Sequence, residues 1–410
     1  MLLKSVRVVD SASAWHGQRL DISIVDGEVE FNPTTLPTEP RVFAAEDLCV
    51  SPGWVDIGTG ISEPGFEQRE TLAETLAAAA KGGFTRVLAL PTTQPVVDER
   101  GTARAILSAA AGAPCALELI GALSEGGLGK QLAAYGDLKR SGIRHFGDGL
   151  HPIADAKLLA LALQYSEPLG GTVLAYPGEL RLQGDGQINE GKVSTLLGLR
   201  GIPLITEEIG LSRDLKILSY AGGRLLVHAV STAASVRHVL EAQRAGHNVA
   251  CTVPVMNLAA SDEALLNYDV NAKVLPPLRS EETRQQLVAS VLAGDPHALV
   301  SGHQARQVEE KLVEFSYASP GAATISKTFS LALEALGDAD LIADYFGRKN
   351  RVAAGWPAQV VGPAAQELTF YSPVETSVSM KPKTANVPFL GREMIGRVIG
   401  TYANQQFHAH

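Results

Sequence analysis

Between about residue 51 and residue 354 the chain alternates short apolar runs with helical patterns. That alternation limits the fold more than any other feature. The run Thr85 to Pro91 follows an alanine-rich helical stretch, Glu70 to Lys81, that stops at Gly82 and Gly83. Gly223 to Val230 follows a helix around Leu211 to Ala221. A helix from Ala233 to Ala245 ends at Gly246, and Val249 to Val253 comes next. Repeated strand, loop and helix units with short connections predict a parallel sheet closed into a barrel. Barrels of this kind carry function at the C-terminal ends of their strands. The last residues of each strand are therefore the positions to read.

The two ends of the chain differ from the middle. Leu20 to Val25 alternates and runs into Asp26-Gly27, a strand entering a hairpin turn. Gln366 to Tyr371 and Glu393 to Thr401 alternate in the same way. The ends are expected to pair into one small β-sandwich, residues 1–50 plus about 355–410, beside a barrel of residues 51–354.

Composition excludes several classes. Of 410 residues 45% are hydrophobic and 19% charged, with 40 glycines, which is a globular α/β profile. A net charge of −9 without a basic run argues against a nucleic-acid surface. No stretch of about 18 apolar residues predicts a membrane span. Met1 to Asp10 carries charges inside its apolar run and reads as a strand, not a signal peptide. Cys49, Cys115 and Cys251 lack zinc-site spacing and fit buried thiols in a reducing cytoplasm.

One segment is specific. Pro52-Gly53-Trp54-Val55-Asp56-Ile57-Gly58-Thr59-Gly60-Ile61-Ser62-Glu63-Pro64-Gly65 resembles the first barrel strand of dihydroorotases and their amidohydrolase relatives. Their pattern is Pro-Gly-aromatic-x-Asp-x-His-x-His-x-Arg-Glu-Pro-Gly. Val230-Ser231-Thr232-Ala233, Asn271 to Arg279 and Asn386 to Gly391 also resemble family motifs, so the likeness covers nearly the whole chain. It implies a (β/α)8 TIM-type barrel with the β-sandwich built from both termini. It also implies hydrolysis of a cyclic amide by a zinc-activated water, since bound zinc lowers the water pKa to about 7.

The residues that would do this are replaced. The two histidines of strand one are Gly58 and Gly60, and the arginine is Ser62. Thr92 stands for the substrate-binding asparagine in Leu90-Pro91-Thr92-Thr93. Ala175 and Ala229 stand at two further histidine positions. The Thr-Asp-His of the last strand reads Ser301-Gly302-His303, so Gly302 replaces the base aspartate. The resemblance therefore implies a degenerate dihydroorotase: not an enzyme, with no cofactor and no metal. It implies an assembly subunit for the aspartate transcarbamoylase catalytic chain in pyrimidine biosynthesis, self-associated, with no nucleic-acid or membrane partner.

The polar survivors have plainer readings as well. Asp148, Asn271 and His303 could line a remnant pocket, but Asp56 and Asp148 also fit as hydrogen-bond acceptors, and Asn271 and Arg279 as framework. His228 lies one residue before a lost ligand, and strand alternation predicts that it turns away from the barrel axis and packs. His145 and His151 flank Asp148, without the spacing of a standard zinc motif. The alternative is an active amidohydrolase with a relocated metal site drawn from these groups. A third reading is a binding protein for a pyrimidine-like ligand.

Overall fold

A computed structural model describes residues 1–34, 41–378 and 386–410. Eight parallel strands form the central sheet: β1 (Trp54–Thr59), β2 (Phe84–Ala89), β3 (Ala116–Gly121), β4 (His145–Phe146), β5 (Thr172–Ala175), β6 (Leu225–Val227), β7 (Val249–Pro254) and β8 (Ala298–Val300). They pair in chain order. Both faces are covered, so the strands are almost wholly apolar. One face packs inward: Ile57, Leu88, Ile120, Leu174, Leu226, Ala250 and Val300 belong to one buried cluster. The other face meets the surrounding helices, with Trp54, Val87, Val173, Leu225 and Val253 in a second, larger cluster. The expected TIM-type barrel is the observed one.

Side chains close the seam between β8 and β1. The Asn350 amide donates to the carbonyls of Val55 (2.7 Å) and Leu299 (2.6 Å), and its Oδ1 accepts from the Leu299 N–H at 3.1 Å. Asp56 accepts from the Ser301 N–H (2.7 Å) and hydroxyl (2.6 Å) and from Thr59 (2.5 Å). One buried amide and one buried carboxylate thus serve backbone groups that a further ladder would satisfy.

Local chemistry explains the connections. The helix Leu72–Lys81 starts at a capping box of Thr71 and Glu74. It ends at Gly82, and Gly83 follows with φ +94°, where an added Cβ would lie 2.4 Å from the Trp54 ring. Only glycine lets the chain turn back over that indole.

The two ends of the chain share one sheet. Leu2–Val8, Arg19–Val25, Glu28–Phe31, Val42–Phe43, Cys49–Pro52, Leu368–Val378, Glu393–Ala403 and Gln406–Ala409 form a single hydrogen-bonded sheet. It folds over a core that joins Val6 and Ile22 to Phe370 and Ile399, so both termini supply the same interior. Glu367, at the entry to this sheet, is anchored by Arg86 at 2.6 Å and by Arg351, both on the barrel side. Trp54 packs against Phe84, Phe329, Phe346 and Tyr371 at the same junction. The three cysteines are free and buried, as their spacing suggested.

Candidate functional site at the barrel mouth

The strand ends bring together the positions singled out in the sequence. At the end of β1 a register shift between Ile57 and Thr59 puts Gly58 at φ +82°. A Cβ added there would lie 2.2 Å from Cε1 and 2.3 Å from Nε2 of His228. His228 follows β6, which is not a neighbour of β1 in the sheet. Its ring therefore reaches across the barrel interior, on the same side as Leu226. The expectation that it turns outward fails, because that expectation counts back from Ala229, whose φ of +62° breaks the alternation, whereas counting forward from Leu226 puts His228 inside. Its Nδ1 lies 3.0 Å from the Thr252 hydroxyl, and burial holds its pKa down at about 4, so it is neutral.

The other replaced positions are closed to different degrees. A Cβ on Gly60 would lie 2.8 Å from the His303 carbonyl, which accepts the Gly60 N–H at 2.8 Å. Ser62 is buried, and Thr92 donates to the Ile61 carbonyl at 2.7 Å. Ala175 ends β5 and packs in the outer cluster, while its carbonyl accepts from the His228 N–H at 2.8 Å. Ala229 has φ +62°, and its N–H donates to Thr252 at 2.8 Å. Gly302 has φ +63° and faces Pro254.

The polar survivors are held by separate partners. His303 Nε2 lies 2.9 Å from Glu70, which also accepts from Thr75 at 2.8 Å. Asp148 accepts from the N–H groups of Leu123 (2.8 Å) and Ser124 (3.1 Å) and from the Ser124 hydroxyl (2.6 Å). Burial still pushes its pKa up. Asn271 takes a turn position through Asp269, and its Oδ1 is buried without a hydrogen-bond partner among the described residues. His145 points to the base of the barrel, 2.8 Å from the Ala354 carbonyl, while His151 is exposed. The His145, Asp148 and His151 cluster does not converge.

A buried network went unread in the sequence. Arg279 donates to Ser231 (2.8 Å) and Asn189 (3.1 Å) and pairs with Glu207 at 3.4 Å. Glu207 also accepts from the N–H and hydroxyl of Ser231 and from Thr232. Tyr176, next after β5, feels Glu207 and Arg279 electrostatically. These partners are 24 to 90 residues apart, so no local motif reveals them.

Zinc at the family's ligand positions does not fit these residues. Gly58, Gly60, Ala175, Ala229 and Gly302 offer no donor side chain. The His228 ring and the His303 carbonyl fill the space at the first two. Among the described residues, no group of three or more His, Cys, Asp or Glu is placed to hold a metal ion.

The comparisons decide the family. Dihydroorotases of Syntrophus aciditrophicus (33% identical, covering 98% of this chain and 97% of theirs) and of Anaeromyxobacter sp. strain K (34%, 98% and 96%) align along nearly the whole length. The chain belongs to the dihydroorotase family. The model of the family described as Dihydro-orotase-like matches residues 48–235 of this member. L-hydantoinase from Arthrobacter aurescens superposes with a TM-score of 0.84 at 19% identity, covering 100% of this chain and 96% of that one. A D-hydantoinase structure gives 0.80 at 15%, covering 99% and 94%, and both share the fold. The dihydroorotase matches overturn the expectation that the chain is not an enzyme. Whole-length relatives above 30% identity are named for an enzyme, and the replaced strand-end residues do not outweigh that agreement. Among the described residues no helix is long and apolar enough to cross a membrane.

Proposed function

We propose that this dihydroorotase-family chain serves pyrimidine biosynthesis in complex with the aspartate transcarbamoylase catalytic chain, as a self-associating subunit that supports the assembly. The observation that carries this reading is the place of His228. Its ring packs where a first-strand ligand would project, while the barrel and the two-ended sheet are complete. A chain whose framework is kept while its mouth is repacked suits a role carried by its surface. Stable assemblies bury upwards of about 1,200 Å² per contact. The test is sizing of the two chains separately and mixed at micromolar concentration. A mixture that elutes as one larger species supports the assembly, and one that elutes as its separate components ends it.

A second reading is favoured by the names of the relatives: cyclic-amide hydrolysis of the dihydroorotase type. The described mouth offers it His303, oriented by Glu70, and not the family's ligand set. Turnover of dihydroorotate above the blank, by the chain alone or mixed with the transcarbamoylase, supports this reading. Turnover that persists in His303→Gln removes that histidine from the chemistry.

A further inference from the structure

We propose that the base of the barrel holds a second ligand site, opposite the mouth, for a phosphate-bearing molecule of mononucleotide size. A cavity of about 650 Å³ lies elsewhere, between the helices Ala156–Ser166 and Ile205–Ala221, but nothing in the structure shows what covers it. The base cavity, of about 540 Å³, is better defined chemically. That volume falls within the usual range for small-molecule sites, about 300–1,000 Å³.

Three of its wall residues immediately precede strands: Arg224 before β6, Asn248 before β7 and His297 before β8. The opposite wall carries Lys349. Arg224 donates through one nitrogen to the carbonyls of Val352 (2.9 Å) and Ala353 (2.8 Å). Lys349 donates to the Gly294 carbonyl at 2.9 Å and stands 4.1 Å over the Tyr345 ring. Neither cation has a carboxylate within ion-pair distance among the described residues, and Lys349 feels Asp344 and Asp295 only at longer range, so two partly desolvated charges face one cavity without a direct counter-ion. Burial works against the charged form of both. An anion between them would offset that cost. Arg348 is paired with Asp344, and Asp295, the acid on the wall, accepts from Ser290 at 2.9 Å.

The neutral groups narrow the ligand class. His297 Nδ1 accepts from the Cys251 N–H at 3.2 Å, which leaves the ring proton on Nε2 as a further donor. Burial keeps this imidazole neutral, with a pKa near 4. The Asn248 and Gln243 amides and the apolar faces of Leu240 and Pro296 complete the wall. Cations on opposite walls, together with amides and apolar surface in the same lining, suit a phosphate joined to a flat polar ring better than phosphate alone.

Calorimetric titration of the purified chain tests this with adenosine and uridine monophosphates, pyrophosphate and uridine as probes. The expected result is saturable binding of a monophosphate, weaker binding of pyrophosphate and none of uridine. Lys349→Gln should weaken the monophosphate about tenfold or more. Gln243 is exposed, so Gln243→Glu puts a repelling carboxylate on the wall without disturbing the core, and it should weaken binding even where the lysine variant folds poorly. No monophosphate binding by about 10 mM overturns the site, as does affinity unchanged in Gln243→Glu. Pyrophosphate or uridine binding as tightly as the monophosphates overturns the ligand class.

Discussion

The His228 ring stands where a side chain on Gly58 would have to go: the first Cβ position lies 2.2 Å from the imidazole Cε1. Gly58 and His228 are 170 residues apart, on strands that do not pair, yet each fixes what the other can be.

This pair is separable by mutation. Gly58→Ala should destabilise the protein by about 2–4 kcal/mol, from the positive φ and the overlap with the ring. His228→Ala in the same chain should recover the overlap part, so the double variant is more stable than the sum of the single costs predicts. Strict additivity in urea unfolding would show that the ring does not fill this space. Gly58→His with Gly60→His should bind no zinc by elemental analysis, because two ligands alone do not make a site.

Asn350 closes the barrel seam with three hydrogen bonds to backbone. Asn350→Ala strands those groups in a dry interior and should cost about 2–4 kcal/mol. Asn350→Asp keeps the shape but loses both donors, so it should be no better. An alanine variant with an unchanged unfolding midpoint would mean that packing, not this amide, holds the seam.

Glu207 and Arg279 are both almost fully buried, at 4% and 3% side-chain exposure. Glu207→Ala leaves the guanidinium uncompensated and should cost about 3–5 kcal/mol. Glu207→Leu with Arg279→Met should cost clearly less than either charge deletion alone. A double variant as unstable as the worse single one would show that shape, not charge balance, matters there.

Acid should weaken the fold through its buried histidines. His145, His228 and His297 are each held down from the ordinary 6.5 to about 4, chiefly by burial. Between those values the unfolded chain binds more protons than the folded one, so stability falls as pH drops from 6.5 towards 4. Each such histidine makes unfolding easier by up to about 1.4 kcal/mol for every pH unit crossed in that window. Asp214, raised by burial to about 6, opposes this, since its stabilisation is lost as pH rises through that value. Urea midpoints measured across this range should fall towards acid, and His228→Gln should flatten the fall. A level profile in the unmodified protein would contradict it.

Periodicity and turn chemistry were enough to read the strand and helix units of the barrel, the strands at both ends and the helix Leu72–Lys81, because each of these depends on residues close in the chain. The resemblance placed Gly58, Gly60, Ser62, Thr92, Ala175, Ala229 and Gly302 at strand ends, and marked which side chains are missing there. It also led to the expectation of no enzyme, which the whole-length relatives overturn.

Tertiary structure alone decided what occupies the mouth. His228 crosses to Gly58, His303 finds Glu70, and Arg279 gathers Glu207, Ser231 and Asn189. The physical reason is distance along the chain. Alternation and capping act over a few residues, whereas a buried charge or ring takes its partner from whichever strand the closed barrel brings opposite. That partner is set by the register and curvature of the whole sheet, which no local pattern records.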